Sequence, residues 1–194
     1  TSGMAIFTAQ FWGKQEIEPI RKVLGMSIIA TSLFALVFTL AAVLIPEVVL
    51  GLYTNDAEVI HIGSQYLRIV GFSYIPVAIA TSYIAVLRSI QLIRITVIAT
   101  TTALVFKTIL GYMLIFGLGG LPALGVQGAA IGTASGWTLE LILLIGLVYT
   151  QKTPLAGSLK TLFSFDLSFF VRVLRTALPA MANELFWSVG ITTY

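Results

Sequence analysis

The amino-acid sequence predicts an all-α polytopic membrane protein, and three observations lead there. Of its 194 residues, 58% are hydrophobic and only 10% are charged, whereas soluble domains carry roughly 25% charge. The apolar residues come in runs of about 20, the length that crosses a bilayer as a helix. The basic residues gather in alternate connections between those runs. No stretch alternates polar and apolar residues, and backbone in lipid must be helix or closed barrel.

The elements follow in order. Residues 1–12 read as the tail of one helix. Residues 23–45 make a full span that stops at Pro46, since proline cannot continue a helix. Residues 60–87 make a second span, with Gly71 and Pro76 predicting a bend. Residues 95–116 and 125–149 make the third and fourth. A last apolar stretch begins near Asp166 and is unfinished at Tyr194. The chain opens on "TSGMAIFTAQFWG" and closes on "FWSVGITTY", with no basic leader or cleavage site. It reads as an internal piece of a longer protein.

The connections fix the direction. Those at 13–22, 88–94 and 150–176 carry Lys14, Arg21, Lys22, Arg88, Arg94, Lys152, Lys160, Arg172 and Arg175, nine of the eleven Lys and Arg. The connections at 46–59 and 117–124 carry no Lys or Arg, and the first holds Glu47, Asp56 and Glu58. The basic set marks the cytoplasmic side. Residues 1–150 are then read as one partial lobe. Residues 151–178 form a cytoplasmic linker, broken by Pro154 and Gly157. Within it "DLSFFVRVLRTAL" predicts an amphipathic surface helix capped by Asp166. Residues 179–194, from Pro179, begin the next lobe.

Composition excludes several functions. Cysteine is absent and His61 is the single histidine, which leaves no cysteine or histidine metal cluster. A net charge of +3 is too small to argue for nucleic acid. No clustered nucleophile and base supports an enzyme, and no repeated polar ring supports a channel. No cofactor is called for beyond a coupling ion.

Gly128, Gly132 and Gly136 are spaced by four. On a helix they share one face, where small residues let another backbone approach and packing replaces the hydrophobic drive that lipid removes. Such a stripe serves either tight static packing or a helix that slides against its neighbours.

Ionisable groups at membrane depth are costly, roughly 2.5–3.5 kcal/mol each on insertion scales, and are functional candidates by default. Glu184 lies five residues after Pro179 in "PAMANELFWS". The proline frees a backbone carbonyl, and a glutamate beside it can hold a proton or a sodium ion. Asn183 is its neighbour; a glutamate bonded to a neighbouring helix is the alternative. Lys107 stands about 13 Å from the outer end of its helix and needs a carboxylate, either Glu140 or one beyond this chain. A structural Lys107–Glu140 pair and a gating pair opened by a proton are both compatible with the sequence. Arg68 can run its stem outward to the acidic outer connection. Phe7, Phe11, Trp12, Tyr112, Trp137 and Trp187 are placed for packing and interfacial belts, or for stacking on a flat organic cation.

The stretch "LIFGLGGLPALGVQGAAIGTASGW" resembles the loop and sixth helix of MATE (multidrug and toxic compound extrusion) transporters. "AQFWGKQE", "QYLRIVGFSYIP", "LRSIQLIRITV" and "ALPAMANELFWSVGITTY" resemble further family segments in the family's order. The resemblance implies part of a twelve-helix, two-lobe transporter, from the end of the second helix to the start of the seventh. It also implies a secondary active antiporter in the bacterial inner membrane. Such a carrier exports an organic, often cationic, compound in exchange for protons or sodium ions. Its implied partners are the bilayer, a small organic substrate and the transporter's remaining helices. A lipid-linked oligosaccharide flippase of the same wider superfamily is the alternative. It is expected to line its cavity with several basic residues, whereas only Lys107 and Arg68 lie deep here.

Thr133 matches a pocket threonine of the family. Three departures are clear. In the loop after the fourth helix, Ile90, Gln91, Leu92 and Thr96 replace several family residues, so the family's glycine and proline are lost. Lys107 and Gly111 stand where the family carries asparagine or aspartate, and Trp187 stands where well-studied branches carry a glutamate. Glu184 keeps that residue's helix face, nearly one turn earlier.

Overall fold

The computed structural model describes residues 2–164 together with Val171 and Arg175. Among these residues the regular structure is helical, with no strand. In chain order the helices are α1 (Ser2–Gly13), α2 (Ile17–Leu44), α3 (Pro46–Gly51), α4 (Ala57–Gly71), α5 (Tyr74–Ser89), α6 (Ile93–Phe116), α7 (Val126–Thr150) and α8 (Leu159–Leu162). Helices α2, α6 and α7 are each long and apolar enough to cross a membrane. Taken together, α4 and α5, which meet at a 53° bend, are also long and apolar enough to form one broken span. The chain is an all-α polytopic membrane protein.

Proline and glycine set the breaks. Helix α2 stops at Leu44 because the residue before a proline avoids the helical region; Ile45 has φ −132° and ψ 46°. Pro46 then opens α3 in the first turn, where its missing N–H costs nothing. The outer connection 46–59, expected to be plain loop, thus contains a short helix. Asp56 caps α4 by accepting from the amides of Glu58 and Val59 at 2.9 and 3.3 Å. The bend falls between Gly71 and Tyr74, as Gly71 and Pro76 predicted.

The helices contribute to two compact units. The first comprises, in its described part, residues 2–31, 81–96 and 147–164 with Val171 and Arg175. Its buried residues are large: Ile20, Leu24 and Met26 of α2, Leu87 and Ile90 around the end of α5, and Val148, Leu155 and Leu162. The chain after α7 is clasped here. Arg21 donates through Nε to the Pro154 carbonyl at 2.8 Å and through Nη2 to that of Ala156 at 3.3 Å. Tyr149 donates to the Gly157 carbonyl at 2.7 Å. Gly25 lies directly against the Leu162 carbonyl, where a side chain would find no room. Ser27, Thr31 and Ser82 join α2 to α5 through hydroxyl contacts of 3.1 and 3.0 Å.

The second unit comprises residues 32–80 and 97–146. Its buried apolar residues are mostly alanines, among them Ala42, Ala80, Ala99, Ala103 and Ala130. Phe34, Phe38, Val97, Val105 and Ile142 are exposed, as suits side chains that meet lipid. Thr39 of α2 donates to the Gly71 carbonyl at 3.0 Å, satisfying a group at the α4–α5 break. Gly71 also permits that approach, since a Cβ there would lie 2.9 Å from the Ala42 Cβ. Arg68 reaches Glu47 at 2.7 Å, with both side chains about half exposed; its stem runs to the acidic connection 46–59. Gln127 donates to Gln65 at 3.1 Å, and Gln65 also contacts His61.

Candidate functional site

The candidate site lies in the second unit, on the facing surfaces of α6 and α7. The glycine stripe creates it. A Cβ on Gly128 would come within 2.6 Å of the Leu114 carbonyl, and one on Gly132 within 2.6 Å of the Gly111 Cα. Gly136 lies directly on the aliphatic stem of Lys107. The contacts ascend α7 as they descend α6, so the two helices pack antiparallel with their backbones close. Gly128, Gly132 and Gly136 are all buried.

The stripe continues one turn further as Glu140, which is 3% exposed. Its Oε1 accepts from the Thr100 hydroxyl at 2.7 Å. Thr100 lies seven residues before Lys107, two helical turns away. Among the described residues Lys107 has no ion pair, so the structure does not bring Lys107 and Glu140 together as one. The antiparallel register is the reason: Lys107 faces Gly136, and Glu140 faces a level nearer the start of α6. The Lys107 ammonium instead sits over the Trp137 ring, 4.6 Å from its centroid, a cation–π contact.

Lys107 and Thr133 do come together. With Thr108, Gly111, Tyr112, Ile115 and Ala129 they line an open pocket of about 370 Å³. Thr133 donates to the Ala129 carbonyl at 2.9 Å and Thr108 to that of Leu104 at 2.8 Å. Both hydroxyl protons are committed to their own helices, and both oxygens keep lone pairs. Tyr112 contacts Phe116 at 4.8 Å between ring centroids. Thr100 and Thr108 were not singled out from sequence. Threonines that bond back to their own helix carry no outward pattern, and the run "ATTTAL" was the available signal for Thr100.

In the first unit, Trp12, Gly13, Gln15, Ile17 and Pro154 line a second open pocket of about 370 Å³. Phe7 and Phe11 stack at 6.3 Å within a small cluster that includes Val23 and Met26, so these aromatics serve packing. Among the described residues no group of His, Cys, Asp or Glu is arranged to hold a metal ion. Glu184, Asn183, Trp187, the Asp166 cap and the helix from Pro179 lie outside the described residues. Of the amphipathic segment, Val171 and Arg175 are helical and exposed.

Together these features define a class: a multi-pass α-helical membrane protein with ionisable side chains held between its spans. Comparison places it more narrowly. The sequence model of the MatE family matches residues 1–113, more than half of the chain, and the chain belongs to that family. It is 24% identical over 191 residues to the probable multidrug resistance protein YoeA of Bacillus subtilis, covering 97% of this chain and 41% of that protein. It is 28% identical over 186 residues to the probable multidrug resistance protein NorM of Bacillus cereus, covering 94% and 40%. The uncharacterized transporter YisQ of Bacillus subtilis is 28% identical over 202 residues, covering 100% and 43%. The chain therefore spans about 40% of the length of these relatives. No solved structure gives a significant match.

Proposed function

We propose that this chain is part of a secondary active antiporter that exports organic compounds, often cationic, in exchange for protons or sodium ions. Membership of the MatE family is the observation that carries the reading, and the relatives named as multidrug resistance proteins support the substrate class. The protein is a transporter rather than an enzyme, and its membrane is the bacterial inner membrane. Residues 1–150 are the greater part of a first lobe, 151–178 a cytoplasmic linker, and 179–194 the start of a second lobe. Rocking of two lobes about a central cavity gives alternating access.

Within this reading Glu184, with Asn183 beside it, is the candidate group for the coupling ion. Lys107 and Thr133, which line one pocket, are candidates for the coupling network or for the uncharged or acidic part of a substrate. Glu140, which accepts a hydrogen bond from Thr100, is a further candidate for a proton or a cation. The test is transport by the full-length protein in proteoliposomes, with a fluorescent organic cation inside and an imposed proton or sodium gradient. Gradient-driven movement of the cation is expected, and Glu184→Gln should uncouple it. No gradient-dependent movement under either ion would overturn the proposal.

A further inference from the structure

We propose that the α6–α7 pocket holds the carboxylate of an amphipathic organic anion or zwitterion, with Lys107 as its counter-charge. This deepens the export reading and rests on it.

The starting point is an ammonium with unused hydrogen-bonding capacity. Lysine carries three N–H donors. The Trp137 ring at 4.6 Å attracts the charge but offers no lone pair. Among the described residues no carboxylate lies within ion-pairing distance of Lys107. A cation about 13 Å inside the outer end of its helix gains strongly from an anion brought to it.

The pocket walls define the rest of the ligand. Lys107 is the charged group among the lining residues. The Thr108 and Thr133 protons are already given to backbone carbonyls. A ligand cation would meet repulsion here, and a ligand carboxylate attraction. Tyr112, Ile115, Ala129 and Gly111 supply an aromatic and apolar surface. A volume of about 370 Å³ suits an organic body of one or two rings, so a bare inorganic anion would leave most of the surface unused. Gly111 keeps the floor open: a Cβ there would meet nothing within 4 Å. A side chain at 111 would therefore begin in open space on the pocket floor.

The test uses the full-length protein in lipid nanodiscs and two probes that share a fluorophore, dansylglycine with a carboxylate and dansylcadaverine with an ammonium. Saturable dansylglycine binding is expected. Lys107→Met should weaken it by about tenfold or more, the scale of a charge-assisted hydrogen bond. Lys107→Arg should weaken it less than Lys107→Met does, since the charge remains. Gly111→Leu should remove it with Lys107 intact, which covers the case in which Lys107→Met fails to fold. Dansylglycine binding equal in the wild type and Lys107→Met, or absent from a wild type that binds dansylcadaverine, overturns the proposal. The first result means that the probe binds without Lys107, and the second that the pocket does not take a carboxylate. Gradient-driven export of dansylcadaverine is read separately. Export without dansylglycine binding removes the pocket assignment alone, and dansylglycine binding without any export removes the antiporter reading alone.

Discussion

The two compact units bury different kinds of residue. The first is filled by Ile20, Leu24, Met26, Leu87, Ile90 and Leu162, as a water-soluble core would be. The second buries alanines and glycines and turns Phe34, Phe38, Val97 and Ile142 outward. The difference follows from the solvent. The first unit holds the polar connections 13–22 and 88–94, the chain from 150 and the span ends that adjoin them, the part of the chain nearest water, where burial of large side chains is favourable. The second consists mostly of span interiors, where lipid is as apolar as leucine and only close backbone packing distinguishes protein from bilayer. Their turns differ in the same sense. Non-glycine residues take positive φ at the helix ends of the first unit (Gln15, Gln91 and Lys152), and glycines do so in the outer turn of the second (Gly117, Gly119, Gly120 and Gly125).

This contrast can be broken by substitution. The largest effect belongs to the first unit. Leu24→Ala should cost about 2–5 kcal/mol, the usual penalty of a core cavity, whereas Phe34→Ala, at an exposed position, should cost under about 1 kcal/mol. Unfolding in mixed micelles measures both. Equal losses would mean that the units pack alike. The next effect belongs to the stripe. Gly132→Ala drives a Cβ onto the Gly111 backbone and should cost about 1–3 kcal/mol, although alanine is the better helix former. A gain in stability would show that α6 and α7 are not in close contact. Arg21→Met should cost about 1.5–3 kcal/mol, because the Pro154 and Ala156 carbonyls lose a charged donor; proteolysis of the connection after Thr150 should speed up with it. The smallest effect is a gain. Gln91→Gly relieves a left-handed residue with φ 65° and should add about 0.5–1 kcal/mol, visible as a small rise in melting temperature.

Much of the fold was legible because run length and proline are local signals. Pro46, Gly71 and Pro76 placed the breaks, and the apolar runs placed α6 and α7 within a few residues. Helix α2 starts at Ile17 rather than 23 because Glu18, Arg21 and Lys22 form polar turns that a search for apolar residues passes over. Helix α3 was hidden by its length, though "PEVVLG" has the proline and acidic residue of a helix start. The site was less legible. The stripe of Gly128, Gly132 and Gly136 was visible, but its partners Leu114, Gly111 and Lys107 were not. The register between two helices is written in neither one alone. The same gap hid Thr100 as the partner of Glu140. Arg21 stood out as a charge that marks a side, yet its acceptors are backbone carbonyls, which leave no trace in a sequence.

The central claim is that the chain crosses the bilayer repeatedly with its basic connections on the cytoplasmic side. This chain contains no cysteine, so a single introduced cysteine reports its own position once any cysteines elsewhere in the full-length protein are replaced. A membrane-impermeant maleimide applied to intact cells should label Glu58→Cys, and should label Lys152→Cys only after the membrane is permeabilised. Labelling of Lys152→Cys from outside intact cells, with Glu58→Cys protected, would contradict the account.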